Sequence, residues 1–296
     1  MKNFNGIIKN SWILICFLVW IQPLFSEDSR TGKLNVEEPF SREKNMVVFI
    51  KYGNGYLNIA KSDPKMVFDG EFLYAEYKPD VRYEVVGDEG RLDIRFSGDV
   101  RDQDEEDSKH IDSVDKLYEN EMNLKFSPRV PLDLNMDLGV IKGDLDFSGL
   151  MVEKFDIEVG VSKAEIYFNE PNPTSIESFD IEGGVGKLRI EKLGNANIQE
   201  MSFEGGIGSY ELDFSGKYQQ NLYAKMELGM GKLTLYIPRK IGTRISVDRS
   251  FLSSFSIDEA YKSGDVYTND RWEKSKYQID LDIESGVGKI DVIWVD

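Results

Sequence analysis

The sequence predicts an all-β protein, a β-helix- or solenoid-like stack of repeated two-strand units joined at Gly-x-Gly corners. Three observations carry this. Apolar and polar residues alternate at period two over most of the chain beyond Met46, the mark of half-buried strands. The alternation changes parity at a glycine corner in seven places. Five consecutive corners, Gly139, Gly160, Gly184, Gly206 and Gly229, lie 21, 24, 22 and 23 residues apart. A fixed period in this range is the signature of stacked repeats, each unable to bury its apolar face alone.

The first element is a targeting segment. Lys2 and Lys9 give a basic start, Trp12 to Ile21 is a short apolar run, and Gln22 to Ser26 precedes acidic Glu27 and Asp28. This predicts a secretory signal over residues 1–26, cut after Ser26. The run is short for a membrane span. Retention would instead make the chain membrane-anchored. The one cysteine, Cys16, lies inside the run, so the mature chain would have no disulfide or thiol chemistry. Polar residues 27–45 read as a flexible leader.

Order is expected over residues 46–296. Met46, Val48, Ile50 and Tyr52 alternate up to Gly53-Asn54-Gly55, and Leu57 and Ile59 resume on the other parity. Strands follow at Met66–Phe68, Phe72–Tyr77, Arg82–Val86 and Arg91–Phe96, with Gly70, Pro79-Asp80 and Gly87–Gly90 as turns. Residues 99–121 break the pattern with a charge block. They predict an acidic surface loop, which carries the one histidine, His110.

Six more units follow. Phe179, Ile181 and Val185 read as the core-facing set before the corner at Gly184 and Gly186, with Leu188 and Ile190 after it. The same switch recurs at Gly139, Gly160, Gly206 with Gly208, Gly229 with Gly231, and Gly286 with Gly288. A one-residue slip moves every later side chain to the other face, so the chain must kink at these glycines. Outward positions such as Asp180, Glu182, Lys187 and Arg189 are charged. The gap between the last two corners predicts a protruding arm, about residues 249–275, that caps the stack.

Composition limits function. A net charge of −17 argues against nucleic acid and against simple docking on anionic lipid. The glycine corners lack the following helix that a phosphate cradle needs. Gly183–Leu188 and Gly205–Tyr210 resemble the calcium-binding nonapeptide repeat, but apolar Leu188 and Tyr210 stand where its aspartate ligand belongs. One histidine and no mature cysteine do not make a zinc site or a triad. Outward acids are so numerous that a glycosidase-type carboxylate pair has no distinguishing signal. No cofactor, metal or catalytic residue is assigned. Exposed aromatics are the better lead: Tyr261, Tyr267 and Trp272 in the arm are candidate partner contacts, able to stack on sugars or anchor a protein, the competing reading being that they pack the arm onto the stack.

The runs Val130–Gly139, Leu145–Leu150, Phe155–Gly160, Leu193–Asn197, Asp213–Gly216, Gly229–Pro238 and Gly286–Lys289, together with Gly53–Ile59, resemble the toast-rack family of bacterial secreted and envelope proteins. The resemblance spans residues 46–296. It implies a glycine-cornered β stack, kinship with adhesins and cell-wall antibiotic-response proteins, and no shared enzymatic activity or ligand. The expectation is an exported, non-catalytic envelope protein, periplasmic or extracellular. Its role would be adhesion, scaffolding or ligand sensing, with an envelope protein or polysaccharide as partner. The alternatives are a polysaccharide-active enzyme on a β-solenoid and a membrane-anchored envelope-stress regulator.

Overall fold

The structure, a computed structural model, describes residues 32–96 and 119–296. The expected signal segment and nearly all of the acidic loop lie outside the described residues. In chain order the strands are β1 (Gly32–Pro39), β2 (Asn45–Lys61), β3 (Met66–Tyr74), β4 (Asp80–Val86), β5 (Glu89–Phe96), β6 (Glu121–Phe126), β7 (Pro131–Asp146), β8 (Met151–Tyr167), β9 (Ser178–Glu191), β10 (Glu200–Asp213), β11 (Leu222–Pro238), β12 (Gly242–Arg249), β13 (Ser253–Ile257), β14 (Tyr261–Ser263), β15 (Val266–Thr268) and β16 (Gln278–Val295). A single helical turn, α1 (Leu193–Ala196), sits between β9 and β10.

Seven of these strands are long and bent: β2, β7, β8, β9, β10, β11 and β16. They pair in that order, parallel and in register, each laying its corner on the corner before it. Every bent strand thus contributes two arms. The apolar side chains of both arms point into the angle of the bend and form one core. Rings stack through it: Phe155 lies parallel to Phe179 at 4.5 Å, and Phe147 meets Phe155 edge-on at 5.0 Å.

At each end of the stack a split layer takes the place of a bent strand. β5 pairs with the first arm of β2 and β6 with its second arm. At the other end β12 pairs with the first arm of β16 and β13 with its second. Residues 249–275, expected as a protruding arm, are therefore divided. β13 belongs to the stack, while the β14–β15 hairpin pairs with β12 through β15. Two further readings change. Gly32–Pro39, inside the expected flexible leader, is a strand that pairs antiparallel with β3. Gly70, expected as a turn, is buried within β3, where the rings of Phe68 and Phe72 close over it.

The corners set the geometry. Gly53, Gly139, Gly160, Gly184, Gly206, Gly229 and Gly286 form one column, and from Gly139 onward a side chain would run into the backbone of the glycine in the previous layer. The ladder skips this position in both strands alike: Gly183 pairs with Gly205 and Val185 with Ile207, leaving Gly184 and Gly206 out of the ladder. The strands turn together at this residue, and the facing of all that follow is reversed. The parity switch therefore occurs at the first corner glycine, one residue before Val185. Val140, Val161, Val185, Ile207, Met230 and Val287 do not join the core as expected. They point outward along the edge of the bend, half-buried at Val140 and exposed at the other five. Gly55, Gly186, Gly208, Gly231 and Gly288 form the second column, shared with Ile141 and Ser162.

The third side of the stack is made of loops tied by buried amides. Asn172 accepts from Val152 N and donates to Val152 O and Ala196 O. Asn195 donates to Phe168 O and accepts from Lys217 N. These side chains substitute for the backbone ladder where the loops cannot pair. Among the described residues no helix is long and apolar enough to cross a membrane.

Candidate functional site

Turns at the C-terminal end of the stack enclose an open groove of about 700 Å³. Arg239 and Lys240 follow Pro238, the last residue of β11, and Arg239 N donates one more bond to Val295 O. Glu259, Ala260 and Tyr261 lead into β14, Asn269 to Arg271 follow β15, and Trp294 closes β16. Asn269 holds the floor. It is buried, donates to Ile241 O at 2.7 Å, and accepts from Thr243 N at 3.0 Å and Arg271 N at 3.2 Å. Trp294 is fixed by its indole N–H, which donates to Asp258 O at 2.6 Å. Arg239 is tied back on Glu259 by an ion pair.

This leaves two cations, the Asp270 carboxylate and an aromatic ring to act on a ligand. Tyr261 is 69% exposed. Lys240 and Arg271 have no ion-pair partner among the described residues. A flat ring beside unpaired cations offers stacking plus charge-assisted hydrogen bonds.

Of the three candidate partner contacts, only Tyr261 reaches the groove. Tyr267 packs against Phe255 at 4.7 Å between ring centres, with the Lys262 ammonium 5.1 Å over its face, so it secures the hairpin to β13. Trp272 is half-buried in the turn after β15 and does not line the groove. Arg239, Lys240, Arg271 and Trp294 escaped the sequence reading as a group because they come from two separate turns and from β16. The Arg239-Lys240 pair directly after a strand-ending proline was the available signal.

A second, smaller hollow of about 360 Å³ runs over the outer face of the second arms. Tyr56, Lys142, Lys163, Lys187 and Ser209 form one wall, and Asp144, Glu165, Arg189 and Glu211 stand beside them. Arg189 is engaged with Glu191 and Glu211, while Lys163 and Lys187 have no ion-pair partner among the described residues. At Tyr167 the Glu165 carboxylate accepts the phenol proton at 2.6 Å and, with burial and neighbouring acids, pushes its pKa up. Among the described residues no group of three or more His, Cys, Asp or Glu side chains is placed to hold a metal ion.

Comparison with known proteins agrees with the fold. The family description "N-terminal domain of toast_rack, DUF2154" matches residues 25–191, more than half of the chain. Three solved structures are similar. One is a putative cell adhesion protein from Clostridium sporogenes ATCC 15579, 23% identical with TM-score 0.47, the match covering 89% of this chain and 100% of that one. Another is a putative adhesin from Bacteroides fragilis NCTC 9343, 13% identical with TM-score 0.38, covering 90% and 99%. The third is a putative lipid binding protein from Parabacteroides distasonis ATCC 8503, 11% identical with TM-score 0.32, covering 90% and 97%. No curated protein matches the chain. The match over residues 25–191 and the glycine-cornered stack together establish that this chain belongs to the toast-rack family.

Proposed function

We propose that this protein is a non-catalytic binding protein of the cell envelope, with an adhesive or scaffolding role, whose ligand is an acidic polysaccharide. The observation that carries the reading is the groove at the C-terminal end of the stack. It combines the exposed ring of Tyr261 with the unpaired cations Lys240 and Arg271. The chain is strongly acidic, at −17 overall, so an anionic ligand is directed to places where cations stand free. Sugar rings supply apolar faces for the tyrosine, and uronate or phosphate groups supply the anion for Lys240 and Arg271. The basic, apolar start of the sequence agrees with export.

Calorimetric titration with polygalacturonate, against neutral dextran as control, tests this. The expected result is binding of polygalacturonate only, lost in Tyr261→Ala and weakened in Lys240→Ala and Arg271→Ala. Equal binding of dextran, or binding untouched by these three changes, overturns it. Sequencing of the mature N-terminus from fractionated cells tests export, and a chain beginning at Met1 in the cytoplasm defeats that part.

A further inference from the structure

The outer edge of the bend is an apolar strip between two charge rows of opposite sign. Val161, Val185, Ile207, Met230 and Val287 stand in register, one per layer, and each is 36–53% exposed. Val140 leads into the strip. The strip continues into the split end layer. There Ser250 N donates to Ser285 O and Gly288 N donates to Leu252 O, so Phe251 and Leu252 lie beside Val287. Phe251 is 95% exposed and Leu252 56%. Six steps of a parallel ladder make this strip about 29 Å long. Contiguous apolar exposure on that scale marks an interaction surface.

On one side of the strip run Asp137, Glu158, Glu182, Glu204, Glu227 and Glu284, paired in register layer after layer. On the other run Lys142, Lys163, Lys187, Lys232 and Lys289, with Ser209 in the middle layer. Like charges on adjacent strands repel one another. Few of them are relieved within the chain. Glu227 is paired with Lys225, and Lys232 and Lys289 share Asp291. The other five acids of the row, and Lys163 and Lys187, have no ion-pair partner among the described residues.

We propose that this edge is the interface of a parallel homodimer, in which a second copy of the chain packs its own apolar strip against it. Two symmetric placements bring the strips together. A two-fold axis across the strip sets acid row on acid row. A two-fold axis along the strip sets each acid row on the lysine row of the other copy, layer by layer, so that Glu182 meets Lys187 of the second copy and Glu158 meets Lys163. The charges select the second placement, with both stacks running in the same direction. The arrangement is that of a coiled-coil seam: two convex surfaces, an apolar line of contact and flanking rows that pair across it. A lipid surface lacks this match, because the acid row would face the headgroups. The strip is narrow, which puts it among the smaller interfaces and makes the dimer a reversible one.

Sedimentation equilibrium of the full chain, from micromolar to submillimolar concentration, tests the proposal. The expected result is a reversible monomer–dimer equilibrium, weakened at least tenfold by Ile207→Thr or by Phe251→Ser. Both are exposed sites, and unchanged circular dichroism confirms that the variants remain folded. Charge reversal supplies the decisive arm. Lys163→Glu with Lys187→Glu in one protein, and Glu158→Lys with Glu182→Lys in another, should each abolish self-association, and an equimolar mixture should restore a heterodimer. A chain that stays monomeric over the whole range overturns the proposal. So does a dimer indifferent to Ile207→Thr and Phe251→Ser, or a mixture that does not associate. Phosphatidylglycerol vesicles are the competing probe, and co-sedimentation with them that Phe251→Ser removes, in a chain that remains monomeric, assigns the strip to lipid instead.

Discussion

Replacing Gly186 by alanine tests the corner geometry at a single atom. Gly186 has φ +144°, and a Cβ there would lie 2.9 Å from the Ser162 carbonyl carbon and nitrogen and closer still to its oxygen. Two costs combine. A side chain held at this φ carries roughly 1–3 kcal/mol of strain. Forcing a methyl against the neighbouring strand adds about 1–3 kcal/mol, as for other overpacked sites. The sum is about 2–6 kcal/mol, which for a domain of this size lowers the midpoint of thermal unfolding by about 5–20 °C. Gly264→Ala is the control. Gly264 also has positive φ, +62°, but nothing lies within 4 Å of its Cβ position. It should lose only the left-handed penalty, about 1–2 kcal/mol. Urea and thermal melts followed by far-ultraviolet circular dichroism give both numbers. Hydrogen exchange should rise first in β8 and β10, the strands on either side. If the two variants melt within experimental error of each other, the glycine column is not a packing requirement and the argument fails.

Two further outcomes follow from buried polar groups. Glu43 is only 3% exposed and accepts from Ser41 N at 2.8 Å and from the Tyr83 hydroxyl at 2.7 Å. Burial alone would push its pKa up, but the hydrogen bonds from its own and neighbouring N–H groups and from Tyr83 outweigh this and hold it below the usual carboxylate value. A lowered folded pKa contributes stability above the unfolded value and loses it as pH falls through the folded one. Tyr83→Phe should therefore cost about 1–3 kcal/mol at neutral pH. The gap from wild type should narrow on acidification below the carboxylate range, and urea melts at both pH values check it. Asn172→Ala strips partners from Val152 N and Ala196 O inside the loop wall, and should cost about 2–4 kcal/mol in the same assay, whereas a loss below ~1 kcal/mol would mean water has replaced the amide.

The seven bent strands were legible in the sequence because each carries two period-two runs with a corner glycine between them, followed two residues later by a second glycine in all but β7 and β8. The facing of Val185 was not. Parity counting places it with Phe179 and Ile181, yet the unpaired residue Gly184 reverses the strand one position earlier. That depends on how adjacent layers pair, which a single strand does not encode. The split end layers were hidden for a related reason. β5 and β6, like β12 and β13, are short, and neither pair is joined by a glycine corner. They become layers only because β2 and β16 offer them complete arms to pair with. Tyr261 was legible as an exposed aromatic, but its companions Lys240, Arg271 and Trp294 are assembled by the return of β16 to the stack. Distant residues of this kind leave no local pattern.

The position of β16 has a consequence for how the molecule is made. β16 is the last strand in the chain, yet it lies between β11 and the split layer of β12 and β13. A chain emerging from its N-terminus can add β7 to β11 one after another, each onto the last. β12 then has only the short β14–β15 hairpin beside it, and β13 has no strand, until the eighteen-residue β16 arrives to fill the gap. β16 therefore acts as a clasp rather than another step of growth: one segment joins β11, the split layer of β12 and β13, and the wall of the groove at once. Among the described residues the layer beyond β16 is a short split one, and the hairpin pairs along its β12 half.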